Sequence, residues 1–269
     1  MYWQSRFDSE NPDKDIEEKI KLIFEMHMGR YGYRRITATL RNEGILINEK
    51  KVRRIMKKLE LKSIAFSHKS RKYNSYKGTI GKISSNKINR RFTTSVPHQK
   101  ITTDTTEFKI YNTDDNGKIT IKKAYFDPFL DMFNGEILSY SISEKPNFKS
   151  ISEALNKAIK ITNDCNFRRT FHSDQGWAYQ MKRYSKVLKN NKIFQSMSRK
   201  GTCLDNSPME NFFGVMKQEM YYGKTYRSFE ELKLAIEEYI YYYNNKRIKE
   251  KLNWLSPVNY RIEYESKFT

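Results

Sequence analysis

Cysteine and histidine are scarce in this chain of 269 residues. Its two cysteines, Cys165 and Cys203, cannot build a disulfide framework, and neither stands in a Cys-x-x-Cys pair. Histidine occurs only at positions 27, 68, 98 and 172, so the nearest zinc-like grouping is Cys165 with His172. That falls short of the cluster of nitrogen and sulfur ligands that zinc requires. No run approaches the ~18 consecutive apolar residues of a membrane span, and the opening MYWQSRFDSE lacks the basic-then-apolar order of a secretion signal. The expectation is a cytoplasmic protein with no membrane partner.

Acidic residues are also in short supply. Lys+Arg 51 against Asp+Glu 31 gives a net charge of +20 and a pI near 9.7. A hydrophobic fraction of 38% is low, but 14% aromatic residues are too many for a disordered chain. Folded domains with basic surfaces suited to a polyanion follow. The excess is N-terminal: residues 1–100 hold 24 basic and 10 acidic side chains, net +14, and the remainder is +6. From Leu61 to Thr103 there is no acid, while Lys62, Lys69, Arg71, Lys72, Lys77, Lys82, Lys87, Arg90, Arg91 and Lys100 are present. This Ser- and Asn-rich stretch reads as an extended linker able to lie along phosphates, or as a solvated tether.

Ahead of it, Ile16, Ile20, Ile23 and Phe24 recur at helical spacing, a second helix fits Tyr33 to Asn42, and Gly44 stops it. Asn48 then caps a third helix whose apolar face is Val52, Ile55, Met56 and Leu59, with Lys50, Arg53, Arg54, Lys57 and Lys58 opposite. Helix, short turn and basic helix is the pattern of a helix-turn-helix, with Arg53, Arg54, Lys57 and Lys58 as candidate DNA contacts.

After Pro97 the pattern becomes strand-like. ITTDTTEFKIY, the Asp-Asp-Asn-Gly turn at 114–117, KITIKKAYF and the Asn134-Gly135 turn into residues 136–142 predict a three-stranded antiparallel meander. A helix over 148–162, a strand ending at Asp174, a helix near 178–190, a strand at 193–197 and a helix from Pro208 follow. The expected fold is mixed α/β, a five-stranded mixed sheet with flanking helices, preceded by a small all-α domain. Three carboxylates fall at element ends: Asp104, Asp174 and Glu210, the last two separated by 35 residues. Singly each has an ordinary explanation. Ser207-Pro208-Met209-Glu210, for example, has the form of a capping box. Asp127, Asp131 and Asp205 read as structural acids. Phe229, Leu232, Ile236, Tyr239, Ile240 and Tyr243 read as the packing face of a last helix.

Several linked stretches, YGYRRIT, TTDTTEF, HSDQGWAY, SRKGTCLDNSPMENFFGVMKQE and YNNKRIKEKLNWLSPVNYR, stand in one order along the chain. Together they resemble the second-frame transposases of the insertion-sequence-three family, within the retroviral-integrase-like D-D-35-E superfamily. The resemblance covers nearly the whole chain. It departs where the family usually has tryptophans, here Ile101 and Tyr140, and at Ile248-Lys249 in the tail. It implies a helix-turn-helix domain at 1–62, a basic linker at 63–97, an RNase H-like integrase core at 98–262 and a tail at 263–269. It also implies two Mg²⁺ (or Mn²⁺) ions held by Asp104, Asp174 and Glu210, with Asp104 bridging them. Lys217, with Arg199 and Lys200 nearby, would hold DNA backbone. The implied activity is cleavage of one strand at the element's end by water, then attack of the freed 3′-OH on another phosphodiester. Hard oxygen ligands suit the hard cations that stabilise charge in such a displacement. The implied partners are double-stranded transposon-end and target DNA, further copies of the chain, and the first-frame protein as fusion or partner. The alternatives are a DNA-binding regulator or inactive remnant acting through the helix-turn-helix, and a structure-selective nuclease.

Overall fold

The structure is a computed structural model describing residues 11–64, 81–113 and 117–267. The N-terminal ten residues, Lys69, Arg71, Lys72 and Lys77 of the acid-free run, residues 114–116 of the first turn and the last two residues of the tail lie outside the described part. The chain divides into two compact units, Met1–His68 with Ile248–Trp254, and Lys69–Arg247 with Leu255–Thr269. Residues 81–97 belong with the sheet, and seven residues of the tail motif belong with the N-terminal helices.

In the first unit, α1 (Lys14–Met26), α2 (Tyr33–Asn42) and α3 (Glu49–Lys58) bury Ile20, Ile23, Ile36, Leu40, Val52 and Ile55 against one another. Each such side chain contributes ~1.5–3 kcal/mol on full burial. Gly44 ends α2 with φ +83°, and the Ile45 amide reaches back to the Leu40 carbonyl at 2.9 Å, a closure that favours a residue without Cβ. Asn48 accepts from the Lys50 amide at 2.8 Å and starts α3. The Ile248–Trp254 segment is held by polar contacts: the Ile248 amide donates to Tyr31 Oη (2.9 Å), Arg35 Nε to the Ile248 carbonyl (3.2 Å) and Asn42 Nδ2 to the Trp254 carbonyl (3.2 Å).

The second unit is built on a mixed sheet of β1 (Lys100–Thr103), β2 (Thr106–Thr113), β3 (Ile119–Asp131), β4 (Ile137–Ser143), β5 (Thr170–Ser173) and β6 (Phe194–Met197). β3 pairs antiparallel with β4 on one side and with both β1 and β2 on the other, and β5 and β6 extend the sheet in parallel from β1. The strand expected over residues 101–111 is therefore two strands, parted at Asp104-Thr105. Their register on β3 is continuous, Thr103 opposite Phe129 and Thr106 opposite Phe126. Continued across the gap, it sets Pro128 opposite Asp104, and proline has no N–H to give the ladder.

Successive residues alternate between faces. Phe129, Ile101 and Phe171 meet α4 (Phe148–Ile161), α5 (Trp177–Gln180) and α6 (Lys182–Asn190) through Ile151, Leu155, Tyr179, Tyr184 and Leu188. Phe126, on the other face, meets Phe212 of α7 (Ser207–Met216), which packs edge-on to Tyr243 of α8 (Phe229–Asn245). The helix expected at 178–190 is two helices broken at Met181, and α9 (Pro257–Glu265) closes the described chain. Among the described residues no helix is long and apolar enough to cross a membrane.

Candidate active site

β1 and β5 are neighbouring parallel strands with Thr102 opposite His172. Two residues further along each strand stand Asp104 and Asp174, at the carboxyl ends where open α/β sheets place their ligands. Even-numbered residues of both strands share the face that α7 covers. There the Asn206 side chain accepts from Thr102 Oγ1 and donates to the Thr103 carbonyl, and the His172 ring meets the Asp205 carbonyl at 2.8 Å. Asn206 is also the N-cap residue of α7, and Glu210 follows in the first turn. The capping box suggested by Ser207 and Glu210 does not form. Ser207 is already helical, and no side-chain capping bond is made at this helix start. Glu210 thus makes no capping bond there.

Burial, then the charge of Asp174, then those of Glu210 and Asp127 hold the Asp104 carboxyl well above its ordinary range, against one opposing bond from the Thr105 amide (2.7 Å). Burial also raises Asp174, opposed by the Gly176 amide (2.7 Å), and raises Glu210. A Cβ on Gly176 would lie 2.9 Å from Asp174 Oδ1, so a larger residue there would push against the Asp174 carboxylate. The carboxylates share an electrostatic field without a common focus. Among the described residues no group of three or more His, Cys, Asp or Glu side chains is gathered as metal ligands. Like charges repel, and Asp104 and Asp174 each turn an oxygen back to a nearby amide.

The acids read as structural are placed differently. Asp127, raised to about 6 by burial, accepts from Thr105 Oγ1 (2.6 Å) and Ser141 Oγ (3.2 Å). Asp131 accepts from the amides of His98 and Phe133. Asp205 is fully buried and gathers Arg199, Arg90 and Asn86.

The basic candidates divide. Lys217 lies just past α7, at the start of a π-helical turn (Lys217–Tyr221), where its Nζ donates to the Glu107 carbonyl (3.0 Å) above the Phe108 ring. Arg199 is ion-paired with Asp205 at 2.8 Å, and Lys200 is exposed. On α3, Arg54 pairs with Asp13 and Lys58 with Glu17, both toward α1, whereas Arg53 lies over the Tyr33 ring and Lys57 is exposed. Both ring nitrogens of His172 are engaged, Nδ1 with Ser196 Oγ and Nε2 with the Asp205 carbonyl, which leaves none for a zinc shared with Cys165. Sequence reasoning passed over Asn206 and Tyr179, and saw His172 only as half of a zinc-like grouping. The only local signal for them was their position beside Asp104, Asp174 and Glu210.

A mixed sheet carrying aspartates on adjacent strand ends, faced by a helix bearing a glutamate, defines an RNase H-like polynucleotidyl transferase core. Comparison with known proteins agrees. The family described as Integrase core domain matches residues 95–203 and again 210–264, and the HTH-like domain matches residues 10–69. The putative transposase InsK for insertion sequence element IS150 of Escherichia coli is 44% identical over 93% of this chain and 84% of its own length. An uncharacterized transposase-like protein of Haemophilus influenzae is 48% identical over 82% of this chain and 96% of its own. The transposase for insertion sequence element IS904 of Lactococcus lactis is 30% identical over 91% and 92%. Among solved structures, the HTLV-2 integrase catalytic core domain is 15% identical, covers 61% of this chain and 97% of its own, and has a TM-score of 0.45. The chain belongs to the insertion-sequence-three family of transposases, whose integrase core generally uses divalent metal ions.

Proposed function

We infer that this chain cuts and joins DNA at the ends of an insertion sequence, with Asp104, Asp174 and Glu210 as its catalytic residues. The observation that carries the reading is the delivery of two aspartates by adjacent parallel strands into a shared field with Glu210, while every other acid of the region is occupied by donors. The donor set fits a hard divalent cation: all ligands are carboxylate oxygens, and the burial and repulsion that raise Asp104 are what a cation would offset. Two Mg²⁺ or Mn²⁺ ions held by these residues would supply positive charge to the phosphate oxygens of the displacement.

The chain's own residues have defined tasks around them. Asp127, held by two hydroxyls, keeps Thr105 and hence the Asp104 turn in place. The buried Tyr179 phenol, its ionisation pushed well up by burial and by Asp127, Asp104 and Asp174, stays neutral beneath the acids. Lys217 puts a positive charge beside β2 for the DNA backbone. On α3 the Arg53 and Lys57 flank serves the duplex, since Arg54 and Lys58 are turned to α1. The chain works on transposon-end and target DNA as a homo-oligomer, with the first-frame protein as fusion or partner. In a Mg²⁺- or Mn²⁺-dependent strand-transfer assay on the element's own ends, Asp104→Asn, Asp174→Asn and Glu210→Gln should each lose joining while keeping duplex affinity. Retained joining in any one of them overturns its assignment.

A further inference from the structure

Residues 81–91, the second half of the acid-free stretch, form a strap on the sheet unit beside β6. Their amides are taken up by side chains. The Gly81 amide meets Gln180 Oε1, Ser84 meets Met197 Sδ, and Lys87 donates to Ser196 Oγ at 2.8 Å. A Cβ on Gly81 would lie 2.0 Å from the Gln180 carbonyl oxygen, so the strap seats only with glycine there.

Two routes lead from the strap to one residue. In the first, Ser196 Oγ bonds His172 Nδ1 (2.9 Å) and His172 Nε2 bonds the Asp205 carbonyl (2.8 Å), which fixes a neutral ring with its proton on Nε2. In the second, Arg90 Nε (2.9 Å) and Asn86 Nδ2 (3.0 Å) donate to the Asp205 carboxylate. Arg199, from the loop leading to α7, joins it with its amide, Nε and Nη2. Asp205 is fully buried and immediately precedes Asn206, which binds β1 beside Asp104. Residues 205–206 are therefore where the strap, β1, β5 and the helix of Glu210 are tied together.

We propose that Asp205 is a positioning residue, drawing the strap and the 198–206 loop onto one carboxylate so that seating of the strap sets the approach of Glu210 to Asp104 and Asp174. The proposal rests on the reading of Glu210 as catalytic. The strap also carries Lys82, Lys87 and Arg91, so a duplex drawn along it would be felt at the glutamate.

The test compares full-length wild type, Asp205→Asn, Arg90→Gln and Glu210→Gln, by steady-state strand transfer and by hydrogen exchange of strap amides. Displacement of a reacting group is expected to lower kcat about 100-fold in Asp205→Asn with KM for end DNA within about twofold, while the Lys87 and Ile88 amides exchange about 10-fold faster. Arg90→Gln changes only a half-exposed side chain and so guards against misfolding. It should show the same pattern more weakly, about 5-fold in kcat. Faster exchange with unchanged kcat overturns the coupling, and so does a rise in KM alone, which would make Asp205 an organiser of DNA contacts. Glu210→Gln should lose chemistry with strap exchange unaltered. If it retains chemistry, the catalytic reading fails first, and the exchange data still report whether Asp205 seats the strap.

Discussion

The paired acids of the helical unit and three acids of the sheet unit sit in opposite surroundings. In the helices, Asp13 and Glu17 each sit within 2.7 Å of lysine or arginine from α3, at the protein surface. In the sheet, Asp104, Asp174 and Glu210 are brought together with only backbone amides as donors to the first two, and burial raises all three. A surface pair tunes the fold slightly, because water already solvates both partners. Unpaired, partly buried carboxylates cost stability and persist where something other than stability is selected.

The largest expected break in this contrast is at the site. Asp104→Asn should reduce strand transfer by more than about 1000-fold, and in metal-free buffer it should raise Tm by removing like-charge repulsion, measured by paired kinetics and melting. A buried acid that does have its partner should behave in reverse. Glu219 and Arg247 are both almost fully buried and bonded at 2.7 Å, with Tyr239 donating to the same carboxylate. Glu219→Ala should cost ~3–5 kcal/mol in chemical denaturation by stranding the guanidinium.

Asp131 gives the third test. Burial raises its carboxyl to about 6, with the amides of Phe133 and His98 and the His98 ring opposing and Glu136 adding to the rise. Its folded value lies above the unfolded one, so its contribution is present at low pH and is lost as pH rises through about 6. Wild type should lose up to ~3 kcal/mol from this group between pH 4 and 7, and Asp131→Asn should flatten that slope in melting curves. The smallest effect is at the surface: Asp13→Asn should leave Tm within about 2 °C, and any shift should vanish in high salt.

Much of this was readable without coordinates. The three helices, the hairpins and the 35-residue spacing are local patterns, set by periodicity, turn chemistry and counting. What escaped were pairings over long separations. Residues 81–97 have a linker's composition, and their docking depends on Ser196 and Asp205, more than a hundred positions away. The tail at Ile248–Trp254 joins the helices through Tyr31 and Arg35 for reasons that no window of sequence contains. The basic face of α3 was legible, but its division into a flank turned to α1 and a flank left to Arg53 and Lys57 required the helix packing. The capping box misled because Asn206, one residue earlier, takes the cap position while its side chain serves β1.

The unbroken register across Asp104-Thr105 has one further consequence. β1 and β2 measure against β3 as a single ruler, so the aspartate is located by the number of residues between two fixed marks, with Thr105 as its one local tether. Adding or deleting one residue between Thr103 and Thr106 would turn Phe108 and Ile110 from the core to the opposite face, because side chains alternate along a strand. The segment tolerates changes of residue type far better than changes of length. A mutation that alters the count there would damage folding before it could retune chemistry.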